Sequence, residues 1–408
     1  MWVGIAGDGK LSSVENWLDT TAPANGDVLN FSAATGAISL DADLGAVVPS
    51  TLVLGSKVVS ISSGSLTVST LTNACTLAVA SGASLTVTGD LVAYDGNGTL
   101  TLLYSNEGTV RIGRAVCTTA DGGRATTTKQ YEVVTANTQP IRTGGFLFDR
   151  VDNRLYWRLE SGNSAPGAWV VGANGFAYGN IVNEKQMRYF VQKSPVTLYS
   201  SADWTLSGCG QKSATFGELH VYDGSASLTI DTSDYDDPTV SRVVTLEGRL
   251  VAEKPVTIKG CGTVQVNTTG AHPELPADLQ HTCISNTTLS VTETATLQIN
   301  AGRKITGNGT VSLAAGTTLV LPSDVIAAGE RCIPGLALPE TGTATLRIDG
   351  ARLRAGDHVL LDSVPENYAS LTIDRTGTAI DGRHAYIIAK DGQLVLNIVP
   401  DGLVIIFR

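Results

Sequence analysis

The sequence predicts an all-β fold: a parallel β-helix, or solenoid, with an inserted aromatic-rich β module and an antiparallel C-terminal cap. Three observations carry that prediction. Apolar residues alternate with Thr, Ser or Gly over short runs, the period of a strand buried on one face. The runs are nearly interchangeable, as in GSLTVSTL, GASLTVTGDL, GTVRIG, GCGTVQVN and GNGTVSLAAGTTLVL. The composition, with 44 Gly against 2 Met and only 16% charged residues, favours extended chain with many turns over helix.

One such strand cannot bury its apolar face alone, but stacked on copies of itself it builds a continuous core. A β-sandwich is the rival arrangement, since its strands also recur every ~8–12 residues. Interchangeable phrases and the scarcity of Asn-Gly or Asp-Gly hairpin turns between them favour the coil.

Residues 1–124 are expected to form an N-terminal cap and the first coils. Leu66/Val68, Leu77/Val79, Leu85/Val87, Leu100/Leu102 and Val110/Ile112 each place two apolar side chains on one face. Residues 125–204 break the rhythm and gather aromatics, among them Phe146, Phe148, Trp169, Phe176 and Trp204, and so predict the inserted module, set laterally on the solenoid. Residues 205–325 resume the coils, with Val256/Ile258, Val264/Val266, Leu289/Val291, Leu297/Ile299, Val311/Leu313 and Leu319/Leu321 pointing inward. Residues 326–408 read as longer strands with Lys390-Asp391-Gly392-Gln393 as a hairpin turn. A final coil exposes a strand edge, and this segment is placed to cover it.

The opening WVGIAGDGKLSSVENWLDTTAPANGDVLNFS resembles the first segment of bacterial autotransporter-like β-helix passenger proteins, with Trp2, Gly4, Asn16, Trp17, Pro23, Gly26, Asp27, Val28 and Phe31 matching its pattern. The coil phrasing is similar to the autotransporter-associated β-strand repeat. The segment from LRAGDHVLLDSV to the hairpin resembles the module that closes such passengers. The resemblance covers the chain on either side of 125–204, but not that stretch itself. It implies a secreted or cell-surface protein. No membrane β-barrel is expected within these 408 residues, so a complete autotransporter is not expected and the secretion route stays open. The start lacks a basic region followed by an apolar one; the expectation is a signal peptide already removed, with Met1 added to the mature chain.

A net charge of −10 disfavours nucleic acid as a partner. No apolar run reaches the ~20 residues of a transmembrane segment. Of the six cysteines, Cys209 and Cys261 share a Gly-Cys-Gly context; they are either small buried residues at equivalent positions or a disulfide, which would fit secretion.

Candidate chemistry is sparse. Asp231, Asp234, Asp236 and Asp237 could hold Ca²⁺ through hard oxygen ligands or supply an acid/base pair against a glycosidic bond, or they are a solvated turn closed by Pro238. Their spacing is not that of an EF-hand. His272, His281 and Cys283, with Glu274, are a weak metal pattern beside a plain polar loop. His220, His358 and His384 stand alone. Large flat side chains and Arg concentrate binding energy, so Tyr156, Trp157, Arg158, Trp169 and Tyr178 are the candidate contacts for a surface glycan or a protein; the competing reading makes them core. The function expected is a non-enzymatic extracellular or cell-surface β-solenoid, adhesin-like or structural. Two alternatives stay open: a carbohydrate-active β-helix enzyme, either polysaccharide lyase or glycosidase, and a phage or filament fibre subunit.

Overall fold

The computed structural model describes residues 1–34, 37–54, 58–72, 76–94, 109–118, 131–135, 141–143, 146–148, 155–159, 168–173, 176–178, 190–192, 195–208, 218–221, 227–268 and 281–399. The chain is all-β, built of stacked parallel strands with an antiparallel sheet near its C-terminus. It divides into two compact units, Met1–Glu218 with Asp223–Ala226, and Leu219–Tyr222 with Ser227–Arg408.

In the first unit the repeated phrases lie directly on one another. Ser65-Leu66-Thr67-Val68 pairs in parallel with Ser84-Leu85-Thr86-Val87, residue for identical residue. The leucines and valines are buried on the inner side, and the hydroxyl residues alternate with them. Two further parallel ladders complete each turn of the chain. One runs through Val28–Asn30, Thr51–Val53 and Thr70–Thr72, the other through Ile38–Asp41, Val58–Ser63 and Thr76–Val79.

The first coil is closed by residues well separated along the opening segment. The rings of Trp2 and Trp17 meet edge to face at 5.2 Å, and both pack on Phe31, at 5.3 and 6.0 Å. Trp17 Nε1 donates to the Leu11 carbonyl at 2.9 Å. Asn16, fully buried, donates to Asp8 Oδ1 and the Lys10 carbonyl and accepts from the Ala6 amide. A buried amide is tolerated because it is paired on both sides.

The described strands within 125–204 are coils, not a module set beside them. Ile141–Thr143 pairs in parallel with Thr109–Thr118 and with Ala168–Val171, which pairs with Pro195–Ser200. Phe146–Phe148, Phe176–Tyr178 and Trp204–Gly208 form a second ladder, and Tyr131–Thr135, Leu155–Leu159 and Phe190–Gln192 a third. Only the coil length differs. Leu66 lies against Leu85, whereas Ile112 lies against Thr143 and Trp169 against Leu198, a longer step along the chain in both cases. Longer connections spread the strands along the sequence without changing how they pair.

The second unit repeats the three-ladder plan. Ser227–Asp234, Val256–Lys259, Thr288–Val291 and Thr310–Leu313 form one ladder. Val243–Leu246, Thr263–Val266, Thr296–Ile299 and Thr318–Pro322 form the next, and Arg249–Ala252, Thr282–Ile284 and Ile305–Gly307 the third. All six inward pairs expected from Val256/Ile258 to Leu319/Leu321 are buried. Burial of one such side chain contributes about 1.5–3 kcal/mol, so each coil is held chiefly by the coils above and below it. At a corner, Asn308 Nδ2 donates to Asn286 Oδ1 and the Asn286 amide to Asn308 Oδ1, both at 2.8 Å, which locks adjacent turns in register.

The parallel ladder runs past residue 326: Ala344–Asp349 pairs with Thr318–Pro322, and Leu371–Asp374 pairs with Ala344–Asp349. The antiparallel sheet is Gly356–Leu361, Gln393–Ile398 and Ala385–Lys390, with Gln393–Ile398 in the middle. Asp391 and Gly392 carry the positive φ values of the expected hairpin turn. No helix among the described residues is long and apolar enough to cross a membrane.

Candidate functional site

The densest polar constellation in the described residues grows from the end of strand Ser227–Asp234. Its first half alternates in burial, but Asp231, Thr232, Ser233 and Asp234 are all buried. Alternation fails because the chain folds back on itself. The Asp234 amide donates to the Val240 carbonyl and the Arg242 amide to the Thr232 carbonyl, at 2.8 and 2.7 Å. Four buried polar residues then need partners, and the loop and the next coil supply them.

Asp234 Oδ1 accepts the amides of Asp236 and Asp237 at 2.8 and 3.1 Å, while Oδ2 takes Arg242 Nε at 2.8 Å and also Nη2. Burial raises its pKa, but the Arg242 guanidinium and the two amides outweigh that and hold the carboxyl below the usual carboxylate range. Asp231 pairs with Lys259, its register partner on the next coil, at 2.9 Å. Ser233 Oγ accepts the Cys261 amide at 3.2 Å and lies 3.6 Å from its Sγ. Asp237 Oδ1 accepts from the Thr239 hydroxyl and amide, which lower its pKa. The four aspartates expected as a cation cage therefore do not converge. Asp231, Asp234 and Asp237 each serve a different turn or cation, and among the described residues no three His, Cys, Asp or Glu side chains gather as a metal site. The sequence showed the acidic run but not Arg242 or Lys259 as partners.

This corner gives a pH prediction. The folded-state pKa of Asp234 is depressed, so its stabilisation is fully present above the unfolded value near 3.8 and is lost as pH falls through the folded value. Asp234→Asn removes the ion pair and should cost about 1–3 kcal/mol at neutral pH. The difference from wild type should shrink in melts taken progressively below pH 4. A constant difference across that range would show that the carboxylate charge is not what stabilises the loop.

The aromatic candidates are distributed over the ladders of the first unit. Tyr156, Trp157 and Arg158 share strand Leu155–Leu159, where Trp157 pairs with Val133 and Gln192. Trp169 lies between Ile141 and Leu198 on a second ladder, and Tyr178 pairs with Phe148 and Gly208 on the other. All five are strand residues rather than loop residues.

His272, Glu274 and Cys209 lie outside the described residues. His281 is half-buried, and burial together with the Lys304 and Arg303 charges holds it below the ordinary imidazole value. Cys283 lies near Ser285 at 3.4 Å. His358 shares a hydrogen bond with the Arg354 carbonyl, and His220 lies in strand Glu218–Val221. Cys261, Cys283 and Cys332 carry free thiols. Burial pushes the Cys332 thiol up to about 12, so it should resist alkylation in the native protein while the half-buried Cys261 and Cys283 react. Peptide mapping after alkylation without reductant checks this, and a Cys209–Cys261 bond would appear as a linked peptide. Labelling of Cys332 as fast as Cys261 would contradict its placement.

No family model, curated protein or solved structure matches the chain.

Proposed function

We propose that this chain is a non-enzymatic β-solenoid of the autotransporter-like passenger kind, secreted or held at a bacterial cell surface, with an adhesin-like or structural role. The observation that supports it most is the closing of the first coil. Trp2, Trp17 and Phe31, among the residues that carry the resemblance, converge on one buried cluster, and Asn16, another of them, is buried and hydrogen-bonded to Asp8, Lys10 and Ala6. A start segment that seals the first coil and then feeds phrase after phrase into register is what a long rigid surface scaffold requires.

Any glycan or protein ligand is assigned to the aromatic coils, through Tyr156, Trp157, Arg158, Trp169 and Tyr178.

A glycan array on the intact chain, repeated with Trp157→Ala and Trp169→Ala, tests the binding role. Loss of a specific signal in either variant, with the melting curve retained, is the supporting result. Depolymerisation of an arrayed polysaccharide, seen as new reducing or unsaturated ends, would replace the scaffold reading by the enzymatic one.

A further inference from the structure

Positive charge gathers at one place in the second unit, in a chain whose net charge is −10. The third ladder of that unit pairs Val251 with Cys283 and Thr282 with Ile305. Continuing those registers back towards the strand starts sets Arg249 beside His281 and His281 beside Lys304, with adjacent strands about 4.8 Å apart. All three fall on the outer side by alternation, because Leu250, Thr282 and Ile305, which follow them, are buried in the core. Arg303, next to Lys304 in the chain, acts on His281 as well. The one carboxylate acting on His281 is Glu330, which accepts from Lys304 Nζ at 3.0 Å while its own side chain is 55% exposed.

Two nitrogens of this cluster have no partner. His281 Nδ1 and Arg303 Nε are both buried and without a hydrogen bond. The Arg Nε–H can only donate, so burial leaves it uncompensated. Orphaned buried polar atoms are rare in folded chains, and a bound ion is one of the few things that accounts for them. His281, Arg303 and Lys304 are half-buried rather than sealed, so a small ligand can reach them. Glu330 does not satisfy the two nitrogens, because its carboxylate is taken by Lys304. Arg303 and Lys304 bring two positive charges against that one carboxylate, and protonation of His281 raises the excess to two.

We propose that His281, Arg303 and Lys304 form a binding site for a tetrahedral oxyanion, a sulfate or phosphate group. Three donors on three side chains call for three acceptor oxygens, which such a group offers and a carboxylate does not. Arg303 Nε and the His281 ring donate to it, Lys304 supplies further charge, and Glu330 competes with it for Lys304. Burial, then the Lys304 and Arg303 charges, hold the imidazole below its ordinary value, with Glu330 opposing them. A bound anion favours the imidazolium, so binding takes up a proton and tightens as pH falls. Glu330 stays ionised into the acid range, since Lys304 holds its carboxyl below the usual value. The site does not depend on the aromatic coils or on the surface role proposed above.

Equilibrium dialysis of labelled inorganic sulfate against the full-length chain tests it, at about pH 5 and about pH 8, with ionic strength held constant by chloride. Sulfate stays dianionic over that range, so any change with pH belongs to the protein. The wild type should bind one sulfate, more tightly at the lower pH. Arg303→Gln should bind at least about tenfold more weakly. His281→Gln should show the same affinity at both pH values. Glu330→Gln should bind more tightly than wild type, because it releases Lys304, a gain that misfolding cannot produce. Methyl phosphate and inorganic phosphate, set to compete with sulfate at the higher pH, separate the two sources of the group. Equal competition means that an ester carried on a larger ligand fits, and competition by the inorganic ion alone means the free ion. Absence of saturable sulfate binding overturns the proposal, as does a folded Arg303→Gln variant that binds like wild type. Where Arg303→Gln fails to fold, Glu330→Gln decides, and no gain in its affinity overturns the proposal as well.

Discussion

Val311→Asp should unfold the coils around it, at a cost of at least about 4 kcal/mol. Val311 is fully buried in strand Thr310–Leu313, stacked in register on Leu289 and against Leu336. A carboxylate there meets aliphatic side chains and ionises only at the cost of desolvation. Leu289 below it and Leu336 above it each lose an apolar neighbour, so the damage spreads to the adjacent coils. Ser312 supplies the control. It pairs with Ser290 and Ala337 on the opposite, half-buried side of the same strand, so Ser312→Asp should stay within about 1 kcal/mol. Thermal and urea melts of the two variants measure the contrast. Wild-type melting of Val311→Asp would mean that the register of this ladder is wrong.

Those two neighbours also show what was legible in the sequence. Period-two alternation is local, so Val311 could be assigned inward and Ser312 outward from the short phrase around them. The same holds for Leu66 and Val68, whose phrase lies on an identical phrase one coil later. Coil length is not local. It is set by connections whose composition carries no pairing signal, and so the stretch from 125 to 204 read as an inserted module. Its strands recur at wider intervals along the chain than those that bring Leu66 onto Leu85, yet they pair in parallel like the others. Beyond residue 326 both patterns occur, since Ala344–Asp349 and Leu371–Asp374 still stack in parallel while the expected hairpin closes the antiparallel sheet. At the polar corner the acidic run was plain. Asp231 finds Lys259 only because one coil lies over the next, a proximity that no reading along the chain can supply.

Gly307→Ala should cost about 3 kcal/mol or more, although it adds a single methyl group to a good strand context. Two separate terms contribute. Gly307 has φ +101°, where an L side chain is strained by about 1 kcal/mol. An added Cβ would also overlap the Ile284 carbonyl oxygen of the coil below and approach Cys283 Sγ at 3.1 Å. That carbonyl already accepts the Gly309 amide at 2.9 Å, next to the Asn286–Asn308 pair that holds the corner in register. It cannot retreat without loosening both. Gly329 separates the two terms. It has φ +78° just beyond the short helix Ser323–Ala327, and an added Cβ there meets nothing within 4 Å. Gly329→Ala should therefore carry the backbone strain alone, about 1 kcal/mol. For a unit of this size the difference corresponds to roughly 4–8 °C between the two melting midpoints. Equal midpoints would show that adjacent coils do not approach as closely at Gly307 as the stacked corner requires, and that its glycine answers only to its own backbone.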